Sequence, residues 1–460
     1  MTRVFGVPPH LLRPILALCL VAVSAFLVFQ RAPATPGGDQ PRYATLGLNL
    51  LDHGVFSANA YAPGSRPAAS LAWAGPLIAP EIAIAAAIDS GTKNALACIA
   101  PGSAECDMRL AGLRLVHLFE ILVFLACLWW IGRLILRDEL QAWSVAFIGL
   151  GFREVTDSAN VVQTEPLYLM TYGLFAAVMM TAYMERKGPA WWGLAGGLLG
   201  LTILTKTSLV ILFGVLPALL IGEALARRKA FAPSVVASLC VVLAGGVVVG
   251  VWMSRSAILF HSLALTDPIY LEASLSHRFA YNRMTWLEWL GGWIYYLPDF
   301  GDDLGRTLFG KEALERLGFN PQGFYEYGAN VLHGEAHAHT APDVATGYLF
   351  KTYVLDEPIK FVAVSALLMW RGIFVGRILG MVGLVAMVFA LWTMPPRQRG
   401  PLALLALLGF TLAGAHAALS VSIPRYNLAL IPVYSVSIVW MLSRAWSRLV
   451  PRLRASEGNA

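Results

Sequence analysis

The chain has 460 residues, 57% of them apolar and only 13% charged, with a mean hydropathy of +0.63. Soluble globular proteins carry about 25% charged residues, so a soluble enzyme, a disordered protein and a nucleic-acid binder do not fit. The 34 Lys and Arg against 28 Asp and Glu leave a charge of +6; in a membrane protein such an excess reports orientation.

An apolar run of about 20 residues crosses a hydrocarbon core of about 30 Å as a helix. The first run is Ile15 to Phe29, extended backward to Leu11. Ala32-Pro33-Ala34 imitates a signal-peptidase site, but the run is longer than a signal core and reads as an uncleaved anchor. Further spans fall near 112–132, 140–152 (short), 164–184, 191–205, 208–226, 233–253, 374–394, 401–420 and 427–443, about ten in all. Ala79–Ile88 is apolar but broken by Pro76, Pro80 and Glu81, as an interfacial or re-entrant piece would be.

Charge orders these spans. Arg133 and Arg137, Arg186 and Lys187, Arg227 to Lys229, Arg397 and Arg399, and the Arg residues from Arg444 to Arg454 fall on one side. The positive-inside rule places that side and both termini in the cytoplasm. Two long segments, about 30–110 and 254–372, then face outward and divide the chain into regions 1–253, 254–372 and 373–460. The basic tail after Met441 suits anionic lipid. Cys98 and Cys106 lie in the first outer segment, where they either form a small-loop disulfide or remain free thiols.

The polar material gathers in those outer segments, as suits an enzyme at the outer interface with a lipid among its substrates. Asp39, after Gly37-Gly38, stands where a short helix carrying Leu46, Leu50 and Leu51 would begin and lie on the bilayer. It either caps that helix or offers a carboxylate to chemistry. Cations at the interface could hold an anionic phosphate: Arg42, Arg66, Arg153, Lys206 and Arg425, with Lys206 and Arg425 favoured because each interrupts long apolar runs. Asp157 and Glu165, in the hairpin 153–167, could hold an acceptor, a metal or Arg153. Arg114, His117 and Glu120, within one span, read as a structural network. His333, Glu335, His337 and His339 would share one face of a strand and suit a metal, but Gly334 and Pro342 favour a loop of solvated histidines. The acidic Asp299, Asp302 and Asp303 read as a solvated turn, and the aromatics from Trp286 to Tyr296 as interface anchors.

The pattern Asp39-x-x-x-Tyr43-Ala44, Asn49-Leu50, Gly54, Phe56-Ser57 resembles the first external loop of the GT-C membrane glycosyltransferases. The branch it is most similar to contains the protein O-mannosyltransferases and the lipid A aminoarabinose and galacturonic acid transferases. Thr164 to Tyr168, the glycine-rich run Gly193 to Lys206, the stretch Ala345 to Trp370 with Asp356 to Lys360, and Pro424-Arg425-Tyr426 followed by Pro432 resemble further family segments in the same order. Residues 260–340 match no such segment. The resemblance implies an all-α polytopic membrane protein of GT-C type, with about ten transmembrane helices and two long periplasmic segments containing interfacial helices. It implies transfer of a sugar from a polyprenyl-phosphate donor to an envelope glycolipid, polysaccharide or protein, at the outer face of a bacterial inner membrane, with membrane lipids and no nucleic acid among its partners. Asp39 would be the catalytic carboxylate of a single, inverting displacement. Arg42, Tyr43, Asp157, Glu165, Lys206, Arg425 and Tyr426 would bind substrate. Many family members have a second acidic residue where this chain has Gln40. No residue is assigned to a metal, and a divalent ion is left open. The rival readings are a transporter or flippase of a lipid-linked precursor, and an O-antigen ligase-like enzyme using a diphosphate-linked donor.

Overall fold

The computed structural model describes residues 9–32, 35–72, 75–103, 105–106, 108–226, 231–335 and 342–457. Among them there is no strand, and the protein is an all-α, multi-pass membrane protein. Among the described residues seven helices are long and apolar enough to cross a bilayer: Leu11–Gln30, Ala111–Leu136, Glu165–Met184, Thr207–Ala226, Phe231–Phe260, Pro396–Leu419 and Pro424–Leu449. Glu139–Leu150, Pro189–Thr205 and Ile378–Thr393, at three of the other positions expected from the sequence, are shorter helices that run beside them.

Polar contacts tie these helices at two ends. At one end Arg13 meets Glu139 at 3.2 Å, Trp130 donates to Thr181 at 2.9 Å, Tyr183 donates to Glu223 at 2.7 Å and Trp440 donates to Thr393 at 3.0 Å. This is the end that carries Arg133, Arg137, Arg186 and Lys187. At the other, Arg31 pairs with Asp157, Arg377 with Asp299, and Arg255 reaches the carbonyls of Phe56 and Ser70. The acidic turn is thus anchored through Asp299. Close packing between the spans depends on glycine: a Cβ on Gly196 would come within 2.3 Å of the Val241 carbonyl, so the Pro189–Thr205 and Phe231–Phe260 helices touch backbone to backbone there.

Two expectations change. The Gln40–His53 helix does not rest on the bilayer through its apolar stripe. Leu46 is buried, Leu50 and Leu51 pack half-buried against the same protein core, and Gly47 lets the helix sit directly on Ile82 of the Ile78–Ile88 helix, where a Cβ would come within 2.3 Å. An apolar stripe records only that something apolar covers it, and here protein does. The span expected at 233–253 continues to Phe260, because Trp252 packs edge-on against Phe56 and Arg255 lies over both rings. A 30-residue helix is about 45 Å long, so its last turns buttress the first outer segment. In that segment Cys98 and Cys106 form a disulfide.

The second outer segment has its own core, including Leu275, Phe279, Tyr281, Phe324 and Leu367. The fully buried Arg278 donates to Asn282 at 2.8 Å, Ser365 at 2.7 Å and the Ala417 carbonyl, and so fastens the segment to the Pro396–Leu419 helix. Of the aromatics expected as anchors, Trp286 is exposed, whereas Trp289 donates to the Ala363 carbonyl and packs inward.

Candidate active site

A cavity of about 490 Å³ opens at the end of the bundle away from the basic turns. Asp39, Tyr43, Glu165, Lys206, Arg425 and Tyr426 all line it. Residues far apart in the chain are therefore brought together as expected.

Asp39 occupies the N-cap position of the Gln40–His53 helix but makes no side-chain capping bond, and it is exposed. Its carboxylate is left for the cavity. Gln40 is buried and structural: its amide donates to the Thr35 carbonyl at 3.1 Å and accepts from Val162 N–H at 3.2 Å. The amide thus ties the first outer segment to the hairpin before Glu165, a link in which both a donor and an acceptor are needed. Glu165 is buried in the first turn of its helix, where the helix dipole favours a negative charge.

Lys206 joins two helices at a single residue. Its Nζ is buried with no hydrogen-bond partner and lies 5.1 Å from the Tyr168 ring and 4.6 Å from the Tyr426 ring. Burial pulls its ammonium down to about 8, with Glu165 opposing that fall and Arg425 adding to it. The Arg425 guanidinium lies 5.5 Å from the Tyr426 ring. Burial and the neighbouring charges of Asp39 and Glu165 push the Tyr43 phenol well up, so it stays protonated as a hydrogen-bond donor. Two carboxylates face two cations, and the cavity's charge balances through its own side chains.

Other sequence candidates fall elsewhere. Arg42 and Arg66 are exposed and do not line the cavity. Asp157 does not line it either, being paired with Arg31 and with Arg153 at 2.5 Å; this also occupies Arg153. Arg114 leaves the network expected with His117 and Glu120, since its guanidinium donates to the Arg31 carbonyl at 2.7 Å. Glu81 replaces it, 2.9 Å from His117. His333 lies 3.4 Å from Glu272, while His337 and His339 lie outside the described residues.

Several lining residues carry no sequence signal. Tyr270, Ser274 and Tyr325 come from the stretch that matches no family segment. Burial raises Tyr325 to about 12, with Tyr426 and Asp39 adding to it. His416 and Ser208 form a relay with Asn427. The Asn427 amide donates to the Gly372 carbonyl at 3.0 Å, leaving its oxygen to accept from His416 Nδ1 at 2.9 Å. His416 Nε2 then accepts the Ser208 hydroxyl at 2.8 Å, an assignment inferred from the network. Ser208 therefore presents oxygen lone pairs to the cavity. The rim is apolar and exposed at Val210, Leu271 and Leu419.

Fold and cavity together define a polytopic membrane protein of the GT-C fold, the class implied by the order of its motifs. No protein-family model and no curated protein sequence matches the chain. Among solved structures it is similar to the archaeal oligosaccharyltransferase AglB from Archaeoglobus fulgidus in complex with an inhibitory peptide and a dolichol-phosphate. That likeness has a TM-score of 0.54 at 14% identity and covers 96% of this chain and 51% of that one. The apo form of the oligosaccharyltransferase gives 0.52 at 14% identity, with the same coverage. The chain thus spans about half the length of that protein. ArnT from Cupriavidus metallidurans bound to undecaprenyl phosphate aligns more loosely, with a TM-score of 0.36 at 16% identity over 93% of this chain and 77% of that one; it carries no further argument.

Proposed function

We propose that the protein transfers a sugar from a polyprenyl-phosphate donor to an envelope glycolipid, polysaccharide or protein at the outer face of a bacterial inner membrane. The observation that carries this reading is the uncapped Asp39 in a cavity that also holds Lys206 and Arg425 and has an exposed apolar rim. A lipid-linked sugar phosphate needs those three surroundings together: lipid-like walls for the chain, cations for the phosphate and a carboxylate for the acceptor.

The acceptor hydroxyl attacks the anomeric carbon while the bond from that carbon to the phosphate oxygen breaks. The electron pair leaves on the phosphate, whose growing charge Lys206 and Arg425 stabilise. Asp39 takes the hydroxyl proton. Attack opposite the phosphate inverts the anomeric centre. Tyr43 donates and Ser208 accepts toward sugar hydroxyls, which orients the donor. Glu165 holds the two cations in place. Purified Asp39→Asn protein given a lipid-linked donor tests the reading, and normal turnover would remove Asp39 from its role. Competition between monophosphate- and diphosphate-linked sugars separates this donor from that of a ligase-like enzyme. Movement of labelled lipid across the bilayer without covalent transfer would favour a flippase.

A further inference from the structure

Outside the cavity, Glu81, His117 and Glu120 form a second ionisable cluster. All three are buried, with exposures of 5%, 0% and 3%. One donor atom from each lies within 4.8 Å of the other two. Glu81 comes from the Ile78–Ile88 helix, and His117 and Glu120 from successive turns of Ala111–Leu136.

The imidazole is oriented. His117 Nδ1 lies 3.1 Å from the Ala159 carbonyl, which can only accept, so Nδ1 carries the proton. Nε2 then turns its lone pair toward the carboxylates, with Glu81 Oε1 2.9 Å away. An acceptor facing a carboxylate needs something electropositive between them. A proton held on Glu81 Oε1 would serve that one contact. It would leave Glu81 Oε2 and Glu120 Oε2, both buried and unpartnered, unexplained. Burying even one carboxylate without compensation costs several kcal/mol.

We infer that Glu81, His117 and Glu120 bind a divalent transition-metal ion, of the Zn²⁺ class. Two carboxylates and one neutral imidazole match both the charge and the ligand preference of zinc, whereas Mg²⁺ and Ca²⁺ favour all-oxygen sets. The Nδ1–H bond to a backbone carbonyl is the outer contact that orients metal-binding histidines. Zinc bonds of about 2.0–2.2 Å require the donors to draw closer, a movement shared among three side chains. The ion joins the Ile78–Ile88 helix to the Ala111–Leu136 span behind Glu165. This inference does not depend on the proposed sugar transfer.

The test uses the full chain in nanodiscs, stripped with a chelator, re-equilibrated with ZnCl₂ and freed of excess. Wild type is expected to retain about one zinc per chain, with an X-ray absorption spectrum of one imidazole and oxygen neighbours. Glu81→Gln with Glu120→Gln, nearly isosteric, is expected to lose that ion and the accompanying rise in Tm. A wild type without stoichiometric zinc, or a double variant with unchanged zinc content, would overturn the assignment. The spectrum keeps the assignment testable if the variant does not fold: sulfur ligands, or several imidazoles such as the segment around His333 could supply, place the ion elsewhere and refute it.

Discussion

Lys206→Met separates a phosphate-binding role from a packing role. The ammonium has no hydrogen-bond partner, and its surroundings are two tyrosine rings and a charge shared with Glu165 and Arg425. Methionine keeps the unbranched stem and fills the same slot. The variant loses two cation–π contacts, at about 0.5–2 kcal/mol each, but sheds the cost of a buried charge, so the two terms oppose each other. Net stability should change by no more than about 1 kcal/mol, or under about 2 °C in Tm for a chain this long. Phosphate binding should suffer more. A hydrogen bond to a charged group contributes about 1.5–3 kcal/mol, and the buried Nζ gains little screening from water, so affinity should fall roughly 10- to 150-fold. Titration of undecaprenyl phosphate into nanodisc-held protein, followed by tryptophan fluorescence, measures this directly. Binding within threefold of wild type would refute the role, and so would weaker binding accompanied by a large fall in Tm, because the lysine would then be acting as packing.

The same residue sets a pH dependence. With its value lowered to about 8, Lys206 is charged below that pH and neutral above it; affinity for the lipid phosphate should fall as pH rises through about 8, while Lys206→Arg, whose guanidinium stays charged, should flatten the profile. Asp39→Asn should lower turnover by about 10²–10⁴ without shifting Tm, because the side chain does not cap its helix; a fall of several degrees would show a cap in solution. Asp157→Asn removes partly exposed ion pairs to Arg31 and Arg153, so it should cost at most about 1 kcal/mol and leave lipid binding unchanged. A clear loss of binding would return Asp157 to the site. Gly196→Leu drives a side chain into the Val241 carbonyl and should cost more than about 1–3 kcal/mol, seen as a lower Tm or failure to remain monodisperse.

What could be read from the chain differs with the kind of evidence. That the basic turns share one end was legible because basic residues punctuate apolar runs with one alternation, and contacts such as Trp130 with Thr181 and Tyr183 with Glu223 gather those turns. Lys206 and Arg425 were legible because a cation isolated between long apolar runs is costly without a purpose. The Asp157–Arg153 pair was among the sequence alternatives, whereas its second partner, Arg31, lies in another segment and only folding reveals that contact. Tyr270 and Tyr325 were hidden in a stretch already rich in aromatics, where two more carry no signal. Glu81 was noted only as an interruption of an apolar run; its proximity to His117 needs the fold.

The first outer segment reaches the cavity from several directions, and this explains how a carboxylate near its start can be held against cations from distant helices. Through Gln40 it fixes the hairpin preceding Glu165. Through Gly75 it touches the end of the Pro189–Thr205 helix, where a Cβ would come within 2.1 Å of the Thr205 carbonyl, one residue before Lys206. Leu77 N–H caps the neighbouring Leu204 carbonyl at 3.2 Å, and the Ala72 carbonyl accepts from Asp267 N–H at 2.7 Å, just before the helix that carries Tyr270. The segment that begins beside Asp39 is therefore tied directly to the helix end before Lys206, through the Gln40 side chain on one side and backbone contacts on the other. A substrate whose anomeric carbon and phosphorus are joined through one bridging oxygen demands that kind of fixed spacing.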